Sequence, residues 1–298
     1  MKKLLIVESP AKAKTISKYL DNSFKVTASV GHVRDLPKSA KKAIDIEGGF
    51  IPHYEIPTLK EKVVKEIKAL AKGADEIYLA TDPDREGEAI AWHVMEAAEL
   101  KKPKRIVFHE ITKEAVEEAL KHPRAIDMNL KEAQETRRVL DRIVGYDLSG
   151  LIWKKVRYGL SAGRVQSPAL RILVEREREI RAFKSHTYWV ITAEVKNKDG
   201  KQFTLTCAVE PTDKKETERI VEIGKKAEWK VFEVKETEVK RPARAPFITS
   251  TLQQAASTRL SLAPSRTMGI AQKLYEAGLI TYMRTDSTTL SATASANI

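Results

Sequence analysis

Short apolar runs alternate with amphipathic segments over residues 1 to about 120. The apolar runs predict buried strands, over Leu4–Val7, Phe24–Ser29, Ile77–Ala80 and Arg105–His109. Helical spacing of apolar residues predicts helices, over Ala11–Leu20, Lys60–Leu70, Glu88–Ala98 and Lys113–Leu120. Ser9 and Pro10 are typical of a helix start. This alternation predicts a largely parallel sheet that helices cover on both faces.

The pattern changes twice further along the chain. Leu130–Val144 and Ser167–Ala182 have the spacing of charged helices. β-branched and aromatic runs then predict strands, over 188–192, Phe203–Val209 and Trp229–Val234. Two further helices are predicted, over Thr249–Arg259 and Met268–Ala277. We therefore expect a multidomain α/β plus α plus β chain, with segments 1–115, 116–183, 184–241 and 242–298.

Charge and cysteine content narrow the function classes. The chain has 298 residues, with 53 Lys+Arg against 41 Asp+Glu and a net charge of +12. This excess favours an anionic partner: nucleic acid first, with a membrane surface or simple solubility as alternatives. The apolar run Leu4–Val7 ends at Glu8, too short for an export signal, so a cytoplasmic protein is expected. A single cysteine, Cys207, excludes an internal disulfide and a cysteine-cluster zinc site.

Carboxylates cluster directly after the predicted strand Ile77–Ala80. Asp82, Asp84 and Glu86 occupy alternate positions there, and Glu8 also ends a strand. Carboxylates held close together stay ionised when a cation neutralises them, and hard oxygen ligands suit Mg²⁺. The alternative is a solvated acidic loop that caps a helix. The sequence contains no P-loop, so no ATP requirement is predicted.

Basic residues and small polar residues follow in the predicted helical segment. A cationic helix face with neighbouring aromatic residues is a candidate nucleic-acid surface, formed by Arg137, Arg138, Arg142, Tyr146 and Trp153. Ser161–Ser167 adds glycine, arginine and neutral donors. The alternative is a solvated charged helix with core aromatics.

Two smaller signals complete the candidate chemistry. Lys12 lies at a strand–helix junction, where a helix N-terminus favours phosphate. Tyr282 has Arg284 two residues on, so it could act as a nucleophile whose transition state the guanidinium stabilises. Taken alone, Tyr282 and His32 are each better explained as structural residues than as functional ones.

Five motifs in order resemble the bacterial type IA DNA topoisomerases over essentially the whole chain. They are V-E-S-P-A-K (7–12), G-H (31–32), T-D-P-D-R-E-G-E (81–88), S-A-G-R-V-Q-S (161–167) and I-T-Y-M-R-T-D-S (280–287). The acidic motif is shared with other toprim proteins, including primases and nucleases. Met283 and the S-A-G-R-V-Q form favour the topoisomerase I branch over topoisomerase III.

The resemblance implies a toprim metal domain (1–115), a helical DNA-binding domain (116–183), part of a β arch (184–241) and a tyrosine-bearing helical domain (242–298). It implies an ATP-independent reaction in which Tyr282 attacks single-stranded DNA and forms a 5′-phosphotyrosine link. Arg284, Glu8 and Lys12 would assist at the phosphate and the leaving oxygen. One or two Mg²⁺ ions would be held by Glu8, Asp82, Asp84 and Glu86.

The resemblance also implies the DNA contacts and the partners. The expected contacts are His32, Arg137, Arg138, Asp141, Tyr146, Trp153 and Arg284, with a single-strand groove along Ser161, Ala162, Gly163, Arg164, Val165 and Gln166. The expected partner is single-stranded or underwound duplex DNA, bound by a monomer at the nucleoid, without ATP, zinc or a membrane.

The chain ends sixteen residues after Tyr282, whereas family members continue for several hundred residues. We therefore expect an incomplete torus, with reduced or no relaxation of supercoils. Two other functions stay open: a non-catalytic single-stranded DNA-binding module and a topoisomerase III-type decatenase. Another toprim enzyme would leave Tyr282 and Ser161–Ser167 without a role.

Overall fold

The computed structural model describes residues 2–37 and 43–296. In chain order the elements are β1 (Lys3–Val7), α1 (Pro10–Ile16), β2 (Phe24–Ala28), β3 (Ile44–Asp45), β4 (Ile51–Pro52), α2 (Thr58–Lys72), β5 (Glu76–Leu79), α3 (Arg85–Ala98), β6 (Lys104–Arg105), α4 (Lys113–Lys121), α5 (Met128–Lys155), α6 (Gln166–Ala182), β7 (Thr192–Lys196), β8 (Gln202–Thr206), α7 (Lys214–Lys226), α8 (Thr249–Leu260), α9 (Pro264–Glu276) and α10 (Ala292–Ala296). They group into two compact units, residues 1–166 with 244–298, and residues 167–243.

The first unit contains a four-stranded sheet in the order β2-β1-β5-β6. All three strand pairs are parallel. In the central strand, Leu4 lies between Lys25 of β2 and Ile77 of β5. The prediction of a parallel sheet is confirmed. Because every strand runs the same way, the carboxyl ends of β1 and β5 lie at one edge.

Alternate residues of β1 enter two different cores. Leu5 and Val7 belong to a core that includes residues of α1, α4 and α9. Leu4 and Ile6 belong to a second core, formed with α2 and α3. Side chains of a strand alternate between the two faces of a sheet, so helices cover both faces, as predicted. The first core joins α9, far along the chain, to the N-terminal sheet.

Side-chain caps begin the helices near this edge. Ser9 accepts a hydrogen bond from the Lys12 amide at 3.2 Å, so the predicted cap of α1 is confirmed. Asp84 caps α3 by accepting from the Gly87 amide at 2.8 Å. Asp127 caps α5. A cap satisfies amides that have no partner inside the helix, which fixes where each helix begins.

The second unit departs most from the predicted pattern. Its β7 and β8 form an antiparallel hairpin, and the turn between them contains Gly200 with φ of 79°. The strands predicted over 188–192 and Trp229–Val234 are wrong: β7 begins at Thr192, and residues 229–234 form no strand. Phe232 is 99% exposed, so these aromatic residues lack the packed neighbour that β-propensity depends on.

Two boundaries in the first unit also differ from the predictions. Of the predicted strand Arg105–His109 only Arg105 lies in β6, while α5 extends well beyond the predicted Leu130–Val144. Helix α7 was not predicted. In the part of the chain that the structure describes, no helix has the length and apolar character needed to cross a membrane.

Candidate active site

Four carboxylates line one cavity of about 380 Å³ at the carboxyl edge of the sheet. Glu8 follows β1, and Asp82 and Asp84 follow β5, so parallel strand order brings them together. Glu86 lies in the first turn of α3. Met283 and Arg284 line the same cavity. The structure thus places the predicted acidic residues beside the segment that carries Tyr282.

Lys12 occupies the buried side of the acidic cluster. Its side chain is fully buried, with Nζ 3.0 Å from Glu8 Oε1 and 3.1 Å from Asp82 Oδ1. The ammonium also lies 4.9 Å from the Phe108 ring centroid, a cation–π distance. Burial raises the pKa of Glu8 to about 7; the nearby Lys12 charge opposes the shift and the Asp82 charge adds to it. Glu8 can therefore exchange a proton near neutral pH.

Tyr282 is buried and points into the acidic cluster. It is 6% exposed, and its hydroxyl donates a hydrogen bond to Asp84 Oδ2 at 2.6 Å. Arg284 Nη1 donates to the same oxygen at 3.3 Å. Burial, then the Asp82 charge and the bond to Asp84, raise the pKa of Tyr282 above its ordinary value. The phenol is therefore protonated at neutral pH, and its proton lies on the bond to a carboxylate.

Main-chain contacts hold the Tyr282 segment against the sheet. The Tyr282 amide donates to the His109 carbonyl at 2.7 Å. Thr249, at the start of α8, donates through its hydroxyl to the Met283 carbonyl at 2.8 Å. These bonds join positions that are far apart in sequence, and they fix where the tyrosine enters the cluster.

Glu86 turns toward a different set of partners. His32 Nε2 lies 2.9 Å from Glu86 Oε1, and Gln134 Nε2 donates to Glu86 Oε2 at 3.3 Å. The bond to His32, against the opposing effect of burial, lowers the pKa of Glu86 to about 2. Gln134 belongs to α5, so this carboxylate connects the acidic cluster to the basic helix.

The donor set fits a hard divalent cation. All four carboxylates line the cavity, and oxygen ligands are what Mg²⁺ prefers. Among the described residues, however, no three His, Cys, Asp or Glu side chains converge on one point as a metal site. Lys12, Tyr282, Arg284 and His32 occupy the carboxylate oxygens instead. A cation would replace some of these partners, Lys12 foremost.

The predicted DNA contacts lie on α5 and on residues 161–166 after it, apart from His32 and Arg284, which contact Glu86 and Asp84. Arg137, Arg138 and Asp141 are exposed on one stretch of α5. Arg138 pairs with Asp35, and Arg164 pairs with Asp141. The guanidinium groups are thus held in place at the surface.

The loop after α5 folds back onto the end of that helix. The Trp153 indole nitrogen donates to the Leu160 carbonyl, and the Ala162 amide donates to Ser149 Oγ at 3.1 Å. Ala162 is buried and Gly163 is half-buried, while the other members of the predicted groove are exposed: Ser161, Arg164, Val165 and Gln166. Tyr146 and Trp153 are also exposed, as base-stacking residues must be.

A buried ion pair that the sequence pattern does not indicate lies beneath the acidic loop. Arg105 is fully buried and donates to the backbone carbonyls of Leu79, Thr81, Asp82 and Ile106. Its Nε also donates to Glu88 Oε2 at 3.1 Å. In the sequence, only its place at the end of the acidic motif indicates a role for Glu88. Nothing in the sequence indicates a role for Arg105. Together they hold the turn that presents Asp82.

Gly87 leaves room for the same turn. A Cβ atom at this position would lie 2.2 Å from the Asp82 carbonyl oxygen. No side chain fits there without moving the loop, so the glycine in D-R-E-G-E serves close packing between α3 and the acidic loop.

Comparisons with known proteins agree with this geometry. Residues 3–111 match the Toprim domain family, and residues 125–298 match a family described as DNA topoisomerase. The structure of full-length topoisomerase I from Thermotoga maritima is similar, with a TM-score of 0.84 and 44% sequence identity over 98% of this chain. This chain spans about half (50%) of that protein's length. The matches confirm the predicted fold class, a toprim-type domain followed by helical segments.

Proposed function

The chain belongs to the bacterial type IA DNA topoisomerases, and on that premise we propose that it cleaves and rejoins one DNA strand through Tyr282, without ATP. The observation that carries the proposal is the 2.6 Å hydrogen bond from the Tyr282 hydroxyl to Asp84, beside Arg284. A tyrosine whose hydroxyl donates to a carboxylate that an arginine also contacts is equipped to attack a phosphodiester.

Cleavage exchanges one phosphate ester for another. The Tyr282 oxygen bonds to phosphorus, the bond from phosphorus to the 3′ oxygen breaks, and a 5′-phosphotyrosine forms. Asp84 accepts the tyrosine proton, since it already accepts the hydrogen bond. Arg284 stabilises the negative charge that builds on the phosphate oxygens.

The leaving 3′ oxygen needs a proton, and Glu8 supplies it. Its pKa of about 7 leaves a substantial protonated fraction at neutral pH. Lys12, bonded to Glu8 and Asp82, supplies positive charge for the phosphate. Rejoining is the reverse: the 3′ hydroxyl attacks phosphorus, Glu8 takes back its proton, and Tyr282 leaves. No bond energy is lost, so no nucleotide is needed.

Asp82, Asp84 and Glu86, with Glu8 beside them, would hold Mg²⁺, which supplies charge neutralisation for the phosphate when it is bound. Residues 3–111 match the Toprim domain, which is a metal-binding fold in topoisomerases. The exposed guanidinium groups of α5 bind the DNA backbone, and the Ser161–Gln166 segment guides the single strand toward the cavity.

A covalent-adduct assay tests the proposal. Because the tyrosine takes the 5′ phosphate, a single-stranded oligonucleotide labelled at its 3′ end should remain on the denatured protein. The same oligonucleotide labelled at its 5′ end should be released with a 3′ hydroxyl. Tyr282→Phe should lose the adduct, while Tyr19→Phe, a control in the same core, should retain it. An adduct that survives in Tyr282→Phe excludes Tyr282 as the nucleophile.

A non-catalytic single-stranded DNA-binding module is the second candidate. Tyr282 is only 6% exposed, and its hydroxyl is already bonded, which favours a chain that grips DNA without cutting it. That function predicts salt-sensitive binding and no adduct with either label. Because the chain spans about half of its solved relative, relaxation of negatively supercoiled plasmid is a separate test, for which we expect weak or no activity.

A further inference from the structure

Tyr275 carries a buried hydroxyl without a hydrogen-bond partner. It lies in the last turn of α9 and is fully buried. Within the described residues, only its hydroxyl and His93 Nδ1 are buried side-chain polar atoms that lack a partner. An unpaired buried hydroxyl is destabilising, and phenylalanine would fill the same space without that penalty. The hydroxyl therefore calls for an explanation beyond packing.

The surroundings of Tyr275 belong to the acidic cluster. Its ring meets the Tyr282 ring edge-on, with centroids 5.1 Å apart. Lys12 Nζ lies 5.7 Å from the Tyr275 ring centroid. The hydroxyl lies beside the Asp82 carboxylate without completing a hydrogen bond to it. A neutral hydroxyl next to a carboxylate is a potential donor to it.

Tyr275 keeps its proton under all ordinary conditions. Burial, followed by the negative charges of Asp82 and Glu8, raises the pKa of Tyr275 far above its usual value. The group is therefore a neutral donor that faces a carboxylate, rather than a second nucleophile.

Lys12 explains why the Tyr275 hydroxyl makes no hydrogen bond to Asp82 in this structure. The ammonium already donates to Asp82 Oδ1 at 3.1 Å and to Glu8 at 3.0 Å. A divalent cation held by the cluster would repel the ammonium, and Asp82 would then lack that donor. Carboxylates that bind metals are in turn hydrogen-bonded by outer partners that orient them.

We propose that Tyr275 is a positioning residue whose hydroxyl donates to Asp82 when a divalent cation displaces Lys12 from the acidic cluster. The hydroxyl then orients Asp82 toward the cation, while the ring holds Tyr282 beside it. This inference rests on the proposed function for the identity of the cation site. It adds a residue of α9 to a site whose other acids come from the N-terminal sheet.

Calorimetric titration of the DNA-free chain with Mg²⁺ tests the inference. Tyr275→Phe keeps the ring and removes only the hydroxyl. We expect its Mg²⁺ affinity to fall about tenfold, the effect typical of a lost outer partner. Its thermal stability without Mg²⁺ should be unchanged or higher, because an unpaired hydroxyl has been removed. In the adduct assay, raised Mg²⁺ should restore cleavage.

Tyr19→Phe is the matched control. The Tyr19 hydroxyl belongs to the same packed layer and donates to the Ile111 carbonyl at 3.4 Å, away from the acids. Its removal should leave Mg²⁺ affinity within twofold of the wild type.

Three results would overturn the inference: a Tyr275→Phe affinity within twofold of wild type, an equal loss in Tyr19→Phe, or a wild-type chain that binds no Mg²⁺. Failure of the proposed function looks different. A wild-type chain that binds Mg²⁺ but forms no adduct would refute cleavage, and the calorimetric comparison would still decide the role of Tyr275.

Discussion

Buried charge distinguishes this site at the scale of single residues. Lys12 and Arg105 are both fully buried, and each is surrounded by acceptors. Lys12 neutralises Glu8 and Asp82, while Arg105 binds the backbone of the acidic loop. A buried charge is stable only when it is paired and hydrogen-bonded, so each of these side chains depends on the acceptors around it.

Arg105→Lys should destabilise the protein, although it keeps the charge. Lysine has three donors on a compact ammonium, whereas Arg105 reaches four carbonyls and Glu88 with a planar fork. We expect the free energy of unfolding in urea to fall by about 3 kcal/mol, with weaker Mg²⁺ binding.

The control is Arg124→Lys. Arg124 pairs with the same Glu88 but is 40% exposed, so the free energy of unfolding should fall by only about 1 kcal/mol. Equal losses in the two variants would show that the carbonyl contacts of Arg105 do not matter.

His93 should make stability depend on pH. Burial, with the charges of His32 and Arg34, lowers the pKa of His93 from 6.5 to about 3. The unfolded chain therefore binds a proton below pH 6.5 that the folded chain refuses, and stability falls as pH falls. Between pH 7 and pH 5 the loss from this residue is about 2 kcal/mol.

Urea unfolding at both pH values checks this expectation. His93→Phe should flatten the difference between pH 7 and pH 5 by about 2 kcal/mol. His53→Phe, at an exposed position, should leave the difference unchanged. An unchanged pH dependence in His93→Phe would show that His93 is protonated in the folded protein.

The docking of α9 onto the N-terminal sheet is decisive at the scale of elements. Thr15 of α1 donates to the Glu276 carbonyl at 2.7 Å, and Ser9 donates to the Glu276 carboxylate at 2.7 Å. Ala271 and Tyr275 enter the same core as Leu5 and Val7. These contacts bring the tyrosine segment to the acidic edge, so the site depends on this interface.

Two glycines of this region should respond in opposite ways to alanine. Gly278 has φ of 76°, and a Cβ there would lie 2.4 Å from the Ile111 carbonyl oxygen. Gly278→Ala should lower the free energy of unfolding by about 2 kcal/mol or more. Gly269 lies inside α9 with nothing within 4 Å of a Cβ. Gly269→Ala should raise stability by about 0.5–1 kcal/mol.

Thermal and urea unfolding of the two variants measure this difference. A stabilised Gly278→Ala would contradict the close approach between the turn after α9 and the strand-to-helix loop at Ile111.

Charge distribution matters most at the scale of the whole molecule. The chain has a net charge of +12, yet four carboxylates line the cavity at the sheet edge, and α5 presents exposed arginines nearby. Gln134 and Glu86 join the two regions. A DNA strand bound by α5 would therefore lie near these carboxylates. A cation would then be needed to offset the repulsion between the carboxylates and the phosphates.

Arg137→Gln should reduce the salt dependence of single-stranded DNA binding. Each phosphate contact adds about 0.7 to the slope of log K against log salt concentration, so one lost contact removes about that much. Arg176→Gln is the control for charge removal, since Arg176 pairs with Glu179 at 2.7 Å in the other unit. Fluorescence anisotropy across a salt series measures both slopes, and equal slopes in the two variants would exclude a phosphate contact at Arg137.

Features that depend only on neighbouring residues can be predicted from the sequence. The alternation of strand and helix up to residue 121, the Ser9 cap and the turn at Gly200 were all predictable, because periodicity and caps act over a few positions. The ordered motifs identified the family and the candidate residues. The aromatic runs in the second unit predict strands that do not form, because a strand needs a packed partner that the local sequence does not supply.

The pairing of the candidate residues depends on the packing of the whole fold. Tyr282 and Asp84 are 198 positions apart, and Lys12 and Asp82 are 70 apart. No local pattern specifies such contacts, which arise from parallel strand order and from the docking of α9. The roles inferred for Arg105 and Tyr275 have the same origin, because burial beside a charge is a property of the packed fold.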